Sequence, residues 1–247
     1  AAYFASRPLV ESRLLRAWAS VAYAFLPAVT GALAGGRLGT AVLAVLLPLI
    51  ARAGVAATGL AQGLAPGVRG SWRATWAYAL LLTLAAAFTP IVWPLALVLG
   101  LPMLILRRDD LVAQGLRLLV ALGTPLLLLA PWSLTLLPFG FFREAGLPYG
   151  TGAASAFDLL GASPGGPGTL AGLLLIGIVL AALAALLRGE RQTAVRTTWL
   201  IALTAFLFAA LANASAWAGP ATLVYGIALL AAAAIGADGV RARVAEQ

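Results

Sequence analysis

The residues of this chain best suited to chemistry are few, and most of them gather in one stretch. Between Ser133 and Gly168 stand Arg143, Glu144 and Asp158, among the aromatics Phe139, Phe141, Phe142, Tyr149 and Phe157. Apolar and aromatic surface carrying a few polar groups suits a lipid-linked or sugar substrate. The same rings also fit the anchoring role that aromatics take at a membrane surface. Arg37 lies in the string Gly31-Ala-Leu-Ala-Gly35-Gly-Arg37-Leu-Gly39. A guanidinium there could hold a phosphate or a lipid head group, or serve as an ordinary interfacial cation. Asp109 and Asp110 form an adjacent carboxylate pair of the kind that invites a metal or a donor sugar. They follow Arg107 and Arg108 with no third carboxylate nearby, which reads as a charge cluster ending a helix. The chain has no histidine and no cysteine, so imidazole and thiolate metal sites and disulfides are excluded. No nucleophile–base pair, phosphate-binding glycine loop or selectivity filter is legible. No metal and no cofactor is expected in this segment.

The elements that must position these residues are hydrophobic helices. Of 247 residues, 62% are hydrophobic and 10% charged, whereas a soluble domain is about 45–50% apolar and about 25% charged. Too little charge is present to clothe a water-soluble fold, and a bundle in lipid fits instead. Apolar stretches long enough to approach the ~20 residues of a membrane crossing run from Leu14 to Gly35, Leu38 to Thr58, Leu111 to Trp132, Thr169 to Leu187, Thr198 to Asn213 and Ala221 to Ala237. A further run, Ala74 to Leu106, has 33 residues, about 50 Å as one helix against a hydrocarbon core of about 30 Å. Proline disfavours helix before it and removes a donor, so the run is expected to break at Thr89-Pro90 into a hairpin. The fold class is therefore all-α, a polytopic bundle of about eight membrane elements within one domain covering 1–247. Ser133–Gly168 is its long outer loop, expected to be mobile at its glycines, and 238–247 a tail or linker.

All sixteen basic residues are arginine. With both chain ends inside, the inner side receives Arg7, Arg13, Arg16, Arg52, Arg69, Arg73, Arg107, Arg108, Arg117, Arg188, Arg191, Arg196, Arg241 and Arg243, and the outer side only Arg37 and Arg143. Such an asymmetry is what the positive-inside rule produces; it takes Arg52 and Arg117 to snorkel from within helices to the inner surface. The arginines form no single dense patch, so the net charge of +8 does not indicate nucleic acid. No acidic residue lies deep in a span, which argues against proton-coupled pumps and ion carriers. Asn213 and Thr83, Thr89 and Thr124 are the main polar groups in or near the spans, placed to hydrogen-bond between helices. Gly31, Gly35 and Gly39, four apart, would make a flat helix face for a close neighbour, or a flexible turn. Pro27, Pro48, Pro90, Pro94, Pro102 and Pro125 fall in or beside apolar runs, as kinks for packing or as broken helices lining a site.

Several strings stand together: Tyr23-Ala-Phe-Leu-Pro27-Ala-Val-Thr-Gly31, Gly35-Gly-Arg37-Leu-Gly39-Thr, Ala130-Pro-Trp132-Ser-Leu-Thr-Leu, Glu144-Ala-Gly-Leu-Pro148 and Ala237-Asp238-Gly-Val-Arg241. Their pattern resembles the membrane region of large bacterial family 2 glycosyltransferases, in which a cytoplasmic transferase domain joins a many-spanned C-terminal half. The resemblance implies a piece of a longer, multi-pass plasma-membrane protein with a soluble transferase domain upstream. It further implies a role in building a cell-envelope polysaccharide or glycolipid, with contacts to the bilayer and to a lipid-linked sugar acceptor. The motifs are structural, so no catalytic residue is carried over. The substrate-binding candidates are Arg37, Trp132, Arg143, Glu144 and Asp158. The transferase reading predicts a lipid-lined groove facing the outer loop. Two other readings of the same sequence are a transporter or flippase for a lipid-linked substrate, marked by a polar central cavity, and a non-catalytic membrane scaffold, marked by tight packing without a cavity.

Overall fold

The computed structural model describes residues 2–7, 10–60, 70–106, 110–137, 140–142, 154–169, 176–187 and 192–238. Among them there are helices and turns and no strand. The order is α1 Ala2–Ala5, α2 Arg13–Ala24, α3 Pro27–Ala34, α4 Leu38–Thr58, α5 Trp72–Phe88, α6 Val92–Leu106, α7 Leu111–Leu128, α8 Trp132–Thr135, α9 Ala156–Leu160, α10 Ile176–Leu186, α11 Gln192–Ala212 and α12 Gly219–Ala237. Five stretches are long and apolar enough to cross a membrane: α2 with α3 (Arg13–Ala34), α4, α7, α11 and α12. The other three expected elements, α5, α6 and α10, are shorter.

Local chemistry sets the boundaries. The Ser12 hydroxyl caps α2 by accepting from Leu15 N at 3.4 Å, an orphan amide that an N-cap side chain satisfies. Leu26 is extended, as a residue before proline must be, and Pro27 opens α3 at a position where its missing N–H costs nothing. Gly59 ends α4 in the left-handed region. The long apolar run breaks at Thr89–Ile91, where Pro90 ends α5 and α6 begins. The Trp93 indole donates to Leu122 O at 2.9 Å, and Gly100 packs against Leu118. Ascending positions on α6 thus meet descending positions on α7. Arg117 of α7, next to Leu118, also donates to Gly70 O just before α5 at 2.9 Å, so the start of α5 and the later part of α6 lie toward the same end and the chain folds back at Pro90.

Gly31, Gly35 and Gly39 do not share a helix face. Ala34 ends α3, residues 35–37 turn, and Leu38 starts α4. Gly31 lies against Thr169, whereas Gly39 lies against the Phe88 carbonyl. The spacing of four is a coincidence of a helix–turn–helix, and each glycine serves a different close approach.

The bundle is assembled on α12. Of its apolar window 78% is buried, against 28–39% for the other four spanning stretches. A helix apolar all round belongs inside the protein, whereas the others keep a face for lipid. It packs on α10 and α11 and touches α2, α3, α4 and α6. Small residues make that possible: Gly226 admits Leu26, and Gly236 admits Ala185.

Two ends of the bundle differ in charge. At one, the starts of α2, α5, α7 and α11 meet the ends of α4 and α12: Ser71 N donates to Ala56 O at 3.2 Å, and Asp238 accepts from Glu11 N at 2.9 Å. Arg7, Arg13, Arg16, Arg52, Arg73, Arg117 and Arg196 all lie toward this end, and among the described arginines only Arg37 lies at the other.

Gly236→Leu is expected to lower stability by ~1–3 kcal/mol through overpacking against Ala185. Gly115→Ala, in a helix with open space around the added carbon, is expected to be neutral or slightly stabilising. Unfolding in detergent micelles checks both, and a cost at Gly115 equal to that at Gly236 contradicts the packing account.

Candidate functional site

At the arginine-poor end, three of the five residues singled out in the sequence are described. Arg143 and Glu144 lie outside the described residues. The Arg37 guanidinium carbon stands 4.3 Å from the centroid of the Trp217 ring, a cation–π contact. Trp217 is buried, and its indole N–H donates to Gly165 O at 3.1 Å. Asp158 closes a capping box: its Oδ2 accepts from the Ser155 hydroxyl at 2.6 Å, and Ser155 Oγ accepts from Asp158 N at 3.1 Å. That carboxylate is engaged in starting α9. Trp132 heads α8, which packs on α7, and is exposed. Trp217 therefore links Arg37 to the segment that carries Asp158, and among the described residues no hydrogen bond or ring contact joins Trp132 to them.

That segment, 154–169, is docked rather than loose. The Asn213 side chain grips one residue twice, its Oδ1 accepting from Ala154 N and its Nδ2 donating to Ala154 O, both at 3.0 Å. The Tyr225 hydroxyl donates to Leu160 O at 3.2 Å. Gly161, Ala162, Ser163 and Pro164 are buried. Gly165 and Gly168 have positive φ and permit the turns that seat the segment; here glycine supplies shape, not mobility. Asn213 thus ties a loop to the bundle instead of joining two helices. Thr83 and Thr124 also do not bridge helices: each hydroxyl donates within its own helix, to Ala79 O at 2.8 Å and Val120 O at 2.7 Å.

A larger feature lies toward the arginine-rich end, not facing the 133–168 loop as the transferase reading expects. A cavity of about 550 Å³ opens among α1, α2, α4, α5, α6, α7, α11 and α12. Its walls are mostly apolar, with Leu47 on α4, Leu95 and Leu99 on α6, Leu118 on α7 and Ala231 on α12. Ligand pockets span about 300–1,000 Å³. Its apolar lining and its size suit an apolar ligand.

Three arginines line this cavity, Arg16, Arg52 and Arg117, and among the described residues no carboxylate does. Arg52 is exposed, as a snorkelling residue should be. Arg117 departs from that expectation. It is 6% exposed, donates from Nη2 to Gly70 O at 2.9 Å, and lies 5.5 Å from the Trp72 ring centroid. Its Nε and Nη1 are buried without a partner. Arg16 is 7% exposed, 4.9 Å from the Tyr3 ring centroid, and its Nε also lacks a partner. Gln114 Nε2, close by on α7, reaches Thr58 O only at 3.5 Å. In the sequence both arginines look like members of the inner-side set. The signal that separates them is position: Arg16 falls one turn into α2 and Arg117 nearly two turns into α7, where neighbouring helices can cover them.

Replacing Asn213 by alanine removes both bonds to Ala154 and is expected to cost ~1–3 kcal/mol. Backbone hydrogen exchange should rise across 154–169 and stay unchanged in α4. Unaltered exchange in that segment would contradict its docking through Asn213.

No protein-family model matches this chain, and no curated protein and no solved structure matches it.

Proposed function

We propose that this chain is the membrane module of a cell-envelope glycosyltransferase, and that its task is to hold a lipid-linked acceptor within the bilayer. The observation that carries the reading is the apolar cavity of about 550 Å³ with arginines at one end. A tightly packed scaffold has no need of such a space. A carrier for a polar solute needs polar walls along its route, and here the polarity is confined to one end. The transferase part of the proposal comes from the resemblance of the strings around Pro27, Arg37 and Trp132 to the membrane half of family 2 enzymes.

The proposed arrangement has eight passes through the plasma membrane, with both chain ends and the arginine-rich end on the cytoplasmic side. The charge split supports this orientation. At 17 residues, α5 meets the lower limit of about 17 for a crossing. An acceptor seated in the cavity would present its head where a cytoplasmic transferase domain works. Arg37, Arg143, Glu144, Asp158 and Trp132 would then belong to the outer face, as contacts for the product or the outer leaflet.

Two outcomes are expected. The native reading frame should encode a nucleotide-sugar-binding domain upstream of Ala1, and a frame without one would sink the transferase reading. In the full-length protein, Ala231→Phe places a ring in the cavity. Transfer of labelled sugar into the organic phase should fall at least about tenfold, with nucleotide-sugar binding unchanged. Undiminished transfer would take the cavity out of the reaction.

A further inference from the structure

The cavity's charge specifies its guest more closely than its volume does. A lipid chain would satisfy the apolar walls but leave the Nε of Arg16 and the Nε and Nη1 of Arg117 buried without a hydrogen-bond partner. A buried cation without a counter-charge is among the costlier features a fold can carry. Among the described residues, the acidic groups do not supply that charge. Asp238 is turned to the backbone of Glu11 and Ser12, Asp110 sits at the head of α7, and neither they nor Glu11 line the cavity. Backbone carbonyls supply only part of it, through Gly70 to one nitrogen of Arg117. The guanidinium fork is matched by the oxygens of a phosphate, which offers several acceptors to several N–H donors at once.

We infer that the occupant is a lipid bearing a phosphate, with its phosphate held at the end lined by Arg16, Arg52 and Arg117 and its chain laid along Leu47, Leu95 and Leu118. This rests on the reading of the cavity as a lipid site and adds the chemistry of the head. Arg117 and Arg16 bind the phosphate directly; Tyr3 and Trp72 hold their guanidinium planes by ring contact. The tail is either polyprenyl or diacyl, since apolar walls accept both.

The test uses the full chain in detergent micelles, stripped of co-purifying lipid, with bound lipid counted by native mass spectrometry. Four probes are titrated: a polyprenyl monophosphate, its polyprenol, dioleoyl phosphatidic acid and dioleoylglycerol. At least one phosphate-bearing lipid is expected to bind at least about tenfold more tightly than its phosphate-free counterpart. Whichever tail is preferred identifies the source of the phosphate. The double variant Arg16→Gln, Arg117→Gln should lose that preference while still binding the neutral lipids, and the double lysine variant should keep part of it. Equal binding of phosphate and phosphate-free lipids overturns the inference and leaves the lipid cavity standing. Binding of none of the four overturns both. Should the glutamine variant not fold, the comparison of the four probes on the unaltered chain decides alone.

Discussion

The close approach of α12 to its neighbours is the constraint on which the rest of the structure depends. In lipid no hydrophobic force drives apolar helices together, so their association rests on van der Waals contact and on polar bonds. Alanine and glycine recur along α12, and Leu26, Ala185 and the α11 residues Ala205 and Ala209 are buried around it. Without that sheath α10 and α11 would have no common partner. The Trp199 indole, which donates to Ala182 O at 3.0 Å, closes the same group from the other side. The docked segment 154–169 depends on it as well, because Tyr225 and Trp217, which hold it, belong to α12 and the turn before it.

The cavity is lined on the α12 side by small and large residues alike, Ala228 and Ala231 beside Ile227 and Leu230. Buried orphans sharpen the distinction between an accident of packing and a site. Thr40 and Thr89 carry unpartnered buried hydroxyls near the break at Pro90. A neutral hydroxyl left so costs about 1–3 kcal/mol, within reach of ordinary structural tolerance. Two arginines left so cost several times more, and both of them line the cavity.

Much of the fold was legible in the sequence because hydropathy and proline act locally. The stretches that became α4, α7, α11 and α12 declared themselves by apolar length, and Pro27 and Pro90 marked the breaks by removing donors. The glycines misled because spacing carries no direction. Gly31 and Gly39 are separated by a turn at Gly36, whose positive φ only the folded backbone reveals. The candidate site was less legible. Arg37 lies apart from the other described arginines, and the ring it meets, Trp217, is 180 residues away in sequence. The positive-inside pattern counts arginines by side and is blind to depth. Arg52 and Arg117 look alike to it, although one reaches out and the other is enclosed by Gly70, Trp72 and the end of α4.

That blindness to depth bears on how the two ends of the bundle should be understood. Both present arginine beside tryptophan, Arg37 on Trp217 and Arg117 near Trp72. At the first, the ring is fixed by Gly165 and the assembly closes a loop over the helices. At the second, Trp72 is partly exposed at the start of α5, Arg117 is enclosed, and an empty apolar volume begins beside it. A ring against a cation makes a lock when both are spent on each other, and a pre-set grip when the cation keeps N–H groups to spare. Pre-setting matters because an arginine that must be ordered at the moment of binding gives up side-chain entropy, about 0.5–1.5 kcal/mol for each such residue. An Arg117 already held by Gly70 and Trp72 has met that cost in folding, so an anion arriving there gains the charge-assisted bonds nearly in full.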